Sequence, residues 1–126
     1  MSSIPVNTTN APQAIGPYSQ AIKVGNMLFL SGQIALNPQT GVLLTDSIAQ
    51  ETHQIMQNIK AVLDAAGFNL AQVVKTSIFL SSMDHFNTVN EVYAGYFNAN
   101  FPARETIAVS GLPRGANVEI SMIAVK

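Results

Sequence analysis

The sequence contains no cysteine, which excludes disulfides, thiolate metal ligands and a cysteine nucleophile. Charge is also scarce. Only 10% of residues are charged against 48% hydrophobic, whereas a soluble domain usually carries about 25% charged residues. Six Lys and Arg against seven Asp and Glu give a formal net charge of -1. The cations are dispersed, so no basic tract exists to follow a phosphate backbone, and nucleic acid is a poor partner. No run approaches the roughly 20 apolar residues of a transmembrane helix, and Met1–Asn10 lacks a basic n-region and an apolar h-segment. These absences predict a soluble, cytoplasmic chain with no membrane partner. The two histidines, His53 and His85, have no metal-ligand spacing. G-x-S-x-G, Walker A and G-x-G-x-x-G are all missing, which removes an α/β-hydrolase, a P-loop enzyme and a Rossmann dehydrogenase. Neither a metal nor a cofactor is expected.

The length of 126 residues suits a single domain spanning 1–126. Such a domain has much surface and here too few charges to cover it, which predicts burial against further copies of the chain in a homo-oligomer.

Up to Tyr18 the chain is rich in Asn, Thr, Pro and Ala without a sustained period, and reads as extended or loop. Gly16-Pro17 fixes a turn that aims Tyr18, either for packing or for ligand contact. Ala21–Val24 and Met27–Ser31 flank Gly25-Asn26, a two-residue hairpin connection. Gly32 then allows close backbone approach, so that Ser31 lines a pocket or the pair marks a bulge. A helix is predicted from about Ile48 to Ala66, capped by Ser47 and ended by Gly67, with Ile55, Ile59, Val62 and Leu63 on its apolar face and His53 exposed. Val73–Leu80 is almost continuously apolar, as a central strand covered on both faces would be. A second helix is predicted over Met83–Asn100, with an aromatic face and Asn90 at its margin, either beside a pocket or in the packing. Two helices can cover only one face of the sheet these strands form, so the other face needs a partner.

The last quarter carries the charges of interest. Arg104 opens a β-branched run after Pro102. Glu119 shares a strand face with Ser121, Ile123 and Val125, opposite Val118, Ile120, Met122 and Ala124. A carboxylate so placed is desolvated on one side, which is costly unless an ion pair or a function holds it there. An arginine able to grip a carboxylate bidentately, a half-buried glutamate, and polar groups from Tyr18, Ser31 and Asn90 suit a small anionic substrate and an attacking water.

In order along the chain, AIGPYSQAI from Ala14, SGQI from Ser31, VVKTSIFL from Val73, the Phe86–Tyr93 stretch with Val89-Asn90, FPAR from Phe101, and LP followed by VEI at Val118 resemble one family. It is that of the reactive intermediate (enamine and imine) deaminases, also called YjgF-like or liver perchloric-acid-soluble proteins. The resemblance implies an α+β, chorismate-mutase-like fold, in which a mixed sheet carries two helices on one face. It further implies a homotrimer whose sheets pack into a central barrel, with active sites in clefts between subunits. A direct hairpin between Glu105–Val109 and Val118–Val125 would be the naive pairing, but the implied fold places Val73–Leu80 between them.

Carried over by motif, Arg104 matches the arginine that binds the substrate carboxylate and Glu119 the glutamate that activates water. Tyr18, Ser31, Asn90 and Thr106 match pocket positions. Thr106 stands where the family often has cysteine, and Ser121 where it often has a second acid. The implied activity is hydrolytic deamination of 2-enamino and 2-imino acids, of the 2-aminoacrylate and 2-iminobutanoate type, to 2-oxo acids and ammonia. Two rival readings are a non-catalytic sensor of 2-oxo acids, which needs Arg104 but not Glu119, and an endoribonuclease or translation inhibitor, which the charge balance opposes.

Overall fold

The computed structural model describes residues 2–126. Along the chain run β1 (Ser3–Val6), β2 (Ala21–Val24), β3 (Met27–Gln33), α1 (Ile48–Ala65), β4 (Val73–Leu80), α2 (Phe86–Ala94), β5 (Ala103–Ala108) and β6 (Val118–Val125). The strands form a six-stranded mixed sheet in the order β1-β2-β3-β6-β4-β5. Only β4 and β5 pair in parallel, as the two ends of a β-α-β crossover through α2. The naive β5–β6 hairpin does not form, because β4 lies between them.

Both helices lie over one face. Buried Leu28, Leu30, Ile78, Leu80, Val118, Ile120 and Met122 from the strands meet Ile55, Met56, Ile59, Val62 and Leu63 of α1 and Val89 and Tyr93 of α2 in a common core. The Ser47 hydroxyl accepts the Gln50 N–H to start α1. Past its end Gly67 takes a left-handed φ of 79°, and the Lys126 ammonium donates to the Gly67 carbonyl at 2.8 Å. Strict alternation in β6 buries Val118, Ile120, Met122 and Ala124 and turns Glu119, Ser121, Ile123 and Val125 to the open face.

The structure sharpens one sequence expectation and corrects another. Residues 3–6, read as extended or loop, form a strand: β1 pairs antiparallel with β2 at the sheet margin, where Pro5 is tolerated because one side of the strand needs no ladder. The second helix is shorter than Met83–Asn100. A 3₁₀ turn over Met83–His85 precedes α2, which stops at Ala94, after which Tyr96 and Phe97 bond back to Tyr93 and Ala94 through single turns. The face of β4 turned away from the helices is not covered within the chain. Thr76, Ile78 and Leu80 are buried, but Val74 is 47% exposed and Phe79 half-buried. On the open face Phe79 pairs in register with Ile107, which is 46% exposed, and Phe29, 41% exposed, pairs with Ile123 farther along the sheet.

Candidate functional site

The predicted site residues fall into two cavities on opposite faces of the sheet. Arg104 pairs in register with buried Thr76, which places it on the helix-covered face of β5. Its guanidinium carbon lies 5.2 Å from the ring centre of Tyr93 and 5.9 Å from that of Phe86, so two α2 aromatics hold the cation by their ring faces. The Tyr93 hydroxyl donates to Thr76 Oγ1 at 2.9 Å. Burial raises the phenol above its ordinary pKa, partly offset by that hydrogen bond and by the Arg104 charge. Asn90, Tyr93, Phe101, Pro102 and Arg104 line a cavity of about 420 Å³. Thr106, two residues along β5, shares the face of Arg104, and its buried Oγ1 has no hydrogen-bond partner among the described residues.

Glu119 belongs to the other face. Its neighbours Val118 and Ile120 are buried under the helices, and its register partner is Phe79 on the open side. With Tyr18, Ser31, Gly32 and Arg114 it lines a cavity of about 580 Å³. Burial is the cause that raises the Glu119 carboxyl above the ordinary glutamate range; no neighbouring cation offsets it. Glu119 and Arg104 form no ion pair within one chain, since the sheet separates them. Among the described residues the ion pair on the open face joins Lys75 to Glu105 at 2.9 Å, and Ser77 donates a hydrogen bond to the same carboxylate; the Ser77 bond first and Lys75 second lower its pKa.

The wall of the Glu119 cavity is built by a buried amide. Gln20 accepts the Thr8 N–H at 2.7 Å and donates to the carbonyls of Thr8 at 3.0 Å and Pro12 at 2.7 Å, which folds the N-terminal segment against β2. Gly16 at φ 128° turns the chain so that Tyr18 projects from the cavity rim, half exposed. Ser31 donates its hydroxyl to the Ser19 carbonyl, leaving the oxygen free to accept.

Two residues of this region escape the sequence reading. Arg114 sits at φ 58° in a 3₁₀ turn over Pro113–Gly115 and reaches the Gly41 carbonyl at 3.4 Å. Nothing in the sequence marks that left-handed arginine. Glu51 is completely buried, and its carboxylate accepts from the Asn117 N–H at 2.8 Å, the Asn117 amide at 2.9 Å and the Val118 N–H at 3.2 Å. Here a signal existed: position 51 is three residues after Ile48 and four before Ile55, on the apolar stripe of α1. No cluster of His, Asp and Glu able to hold a metal occurs among the described residues, and no helix among them is long and apolar enough to cross a membrane.

A family model described as endoribonuclease L-PSP matches residues 8–126. The chain belongs to this family. A RutC family protein of Pyrococcus horikoshii is 50% identical over 119 residues, covering 94% of each chain. The human 2-iminobutanoate/2-iminopropanoate deaminase is 44% identical over 121 residues, 96% of this chain and 88% of the human one. Among solved structures, Escherichia coli TdcF with bound serine superposes with a TM-score of 0.93 at 37% identity, over 98% of both chains. L-PSP family membership agrees with the resemblance read from the sequence motifs.

Proposed function

We propose that this chain is a hydrolytic deaminase of 2-enamino and 2-imino acids, assembled as a homotrimer in which the Arg104 cavity of one copy faces the Glu119 cavity of the next. The observation that carries the reading is the division of the chemistry. One cavity holds a cation cradled by aromatic rings, and the other a half-buried carboxylate that makes no ion pair among the described residues. Each is half a site, and a closed cyclic assembly brings unlike halves together at every interface. The exposed Phe29 and Ile107 on the open face support the same assembly. The human relative named as an imine deaminase supports the activity.

In this reading Arg104 grips the substrate carboxylate and orients the C=N carbon, while Asn90 and the free Thr106 hydroxyl border the same end. Glu119, its affinity for protons increased by burial, accepts a proton from water as the oxygen attacks that carbon. The imine nitrogen takes up a proton to give a tetrahedral carbinolamine. Collapse expels ammonia and leaves the 2-oxo acid, so that water and the imino acid balance the two products. An enamine substrate first becomes the imine by protonation at carbon. Since such imines hydrolyse unaided in water, the barrier need fall only modestly. The chain's net charge of -1 gives no support to RNA as the substrate.

The test is ammonia release from freshly generated 2-iminobutanoate, corrected for the spontaneous rate. Arg104→Lys keeps the charge but loses the planar fork, and is expected to weaken 2-oxobutanoate binding and lower turnover about 10²-fold. Wild-type turnover in that variant would place the carboxylate elsewhere.

A further inference from the structure

The pairing of β3 with β6 slips between Leu30 and Gln33, and Gly32 lies in the slip. A β-carbon built on Gly32 would stand 2.5 Å from Glu119 Oε2, 2.8 Å from Cδ and 3.1 Å from Cγ. The carboxylate thus occupies the space that any side chain at position 32 would need. Gly32 itself has little room to withdraw. On one side the Ser31 N–H donates to the Gln20 carbonyl at 3.0 Å and the Ser31 hydroxyl to Ser19; on the other, Gln33 is buried in register with Ile120. The backbone at Gly32 is not among the left-handed positions of the chain, so glycine is not required there by its φ angle. What remains is a steric requirement imposed by one side chain.

We propose that Gly32 is a positioning residue for the reaction, whose missing side chain seats the Glu119 carboxylate flat against the sheet, and that a methyl group at this position expels the carboxylate toward solvent while leaving the strand pairing intact. The inference rests on the reading of Glu119 as the base. It adds that the depth of the base is set from β3, by an absence, rather than by any hydrogen-bond donor. The charged and titratable groups lining the same cavity are Tyr18 and Arg114, and Lys75 and Glu105 neutralise one another farther along the open face. Burial is what raises the affinity of Glu119 for protons, so unseating the group should lower that affinity.

The experiment compares wild type, Gly32→Ala, Glu119→Asp and the double variant as intact oligomers. Gly32→Ala is expected to lower kcat about 10- to 100-fold with KM within a few-fold, because a displacement near 1 Å is enough for such a loss. The acid limb of its pH profile should move to lower pH. Glu119→Asp alone also loses rate. In the double variant the shorter acid withdraws the oxygen that overlaps worst, and kcat should recover about 10-fold over Gly32→Ala, reversing the sign of the Asp substitution.

A ¹³C NMR titration of the Glu119 carboxyl separates this inference from the reading beneath it. A lower midpoint in Gly32→Ala shows the carboxylate unseated whatever happens to activity, while unchanged turnover in Glu119→Gln would remove the base assignment alone. An unchanged midpoint in Gly32→Ala overturns the inference, as does a double variant no faster than the product of the single losses. Should Gly32→Ala fail to fold, Glu119→Ala in the same chain must restore folding by vacating the space; continued failure to fold also overturns it.

Discussion

Two glutamates meet the start of β6 from opposite sides, and they are used in opposite ways. Glu51 reaches through the core from α1 and is fully buried, yet three N–H donors from Asn117 and Val118 satisfy it. Glu119, the next residue of that strand, is only half-buried, and burial raises its proton affinity with no opposing cause from a neighbour. Burial alone therefore does not mark a functional acid. A carboxylate whose lone pairs are filled by backbone donors fixes structure, whereas one left unfilled beside a cavity is available to a water molecule.

The sharpest way to test the contrast is to remove each acid in turn. Glu51→Ala takes the acceptor from the buried Val118 N–H and from two donors of half-buried Asn117, and with about 1–3 kcal/mol for the buried one and less for the others a stability loss on the order of 2–3 kcal/mol is expected in urea unfolding. Glu119→Gln should instead lower kcat ~10²–10⁴-fold while 2-oxobutanoate binding stays within a few-fold. A Glu119→Gln protein that unfolds as readily as Glu51→Ala would erase the distinction. Unchanged turnover in folded Glu119→Gln would favour a 2-oxo-acid sensor.

A second comparison sets the Arg104 cavity against the Glu119 cavity. If they complete one another across an interface, two inactive proteins should rescue each other. Mixing Arg104→Lys with Glu119→Gln chains through unfolding and reassembly lets a copy with intact Arg104 meet a copy with intact Glu119. At equal amounts, roughly a quarter of the sites in a randomly assembled ring are whole. Ammonia release near that fraction of wild type is the expected result. No rescue, with mixed oligomers shown by mass spectrometry, would mean that the two cavities do not share a substrate.

The pH dependence carries a smaller effect with a defined sign. The Glu119 carboxyl is raised above its ordinary range in the folded protein, and the base must be ionised to act. The acid limb of kcat should accordingly lie above the pH at which an exposed glutamate titrates. Linkage runs the same way: any stability tied to neutral Glu119 is fully present below its unfolded pKa and is lost as pH rises through the folded one. Glu119→Gln should therefore melt at or above the wild-type temperature near neutral pH, which calorimetry across pH can check.

Much of this arrangement was legible beforehand because it rests on local patterns. The period of β6 announced which face Glu119 takes, Gly25-Asn26 announced the hairpin, and the stripe from Ile48 to Ala66 announced α1. The differences have separate causes. β1 carries Pro5 and owes its existence to pairing with β2, whereas α2 ends at its C-cap Gly95, a local stop that the longer aromatic stripe up to Phe97 masks. That Arg104 and Glu119 face opposite ways follows from strand register, and the fit of Glu119 over Gly32 from a slip in that register; neither has a signature in residue order.

The smallest effect concerns Thr106, the pocket position with an unfilled group on the Arg104 side. Its buried Oγ1 lacks a partner among the described residues, a state that ordinarily destabilises a fold and persists where something else is gained. Thr106→Val preserves the shape and removes only the hydroxyl. In the ligand-free protein the change should leave the melting temperature unchanged or slightly raised, because no hydrogen bond is lost. If the hydroxyl serves the substrate, the same variant should bind 2-oxobutanoate about 5-fold more weakly, the worth of one ordinary hydrogen bond, and Thr106→Ser should keep the affinity. A lower melting temperature in the free Val variant would show that the hydroxyl has a structural partner after all. Equal affinity in all three proteins would leave position 106 to act through its backbone alone.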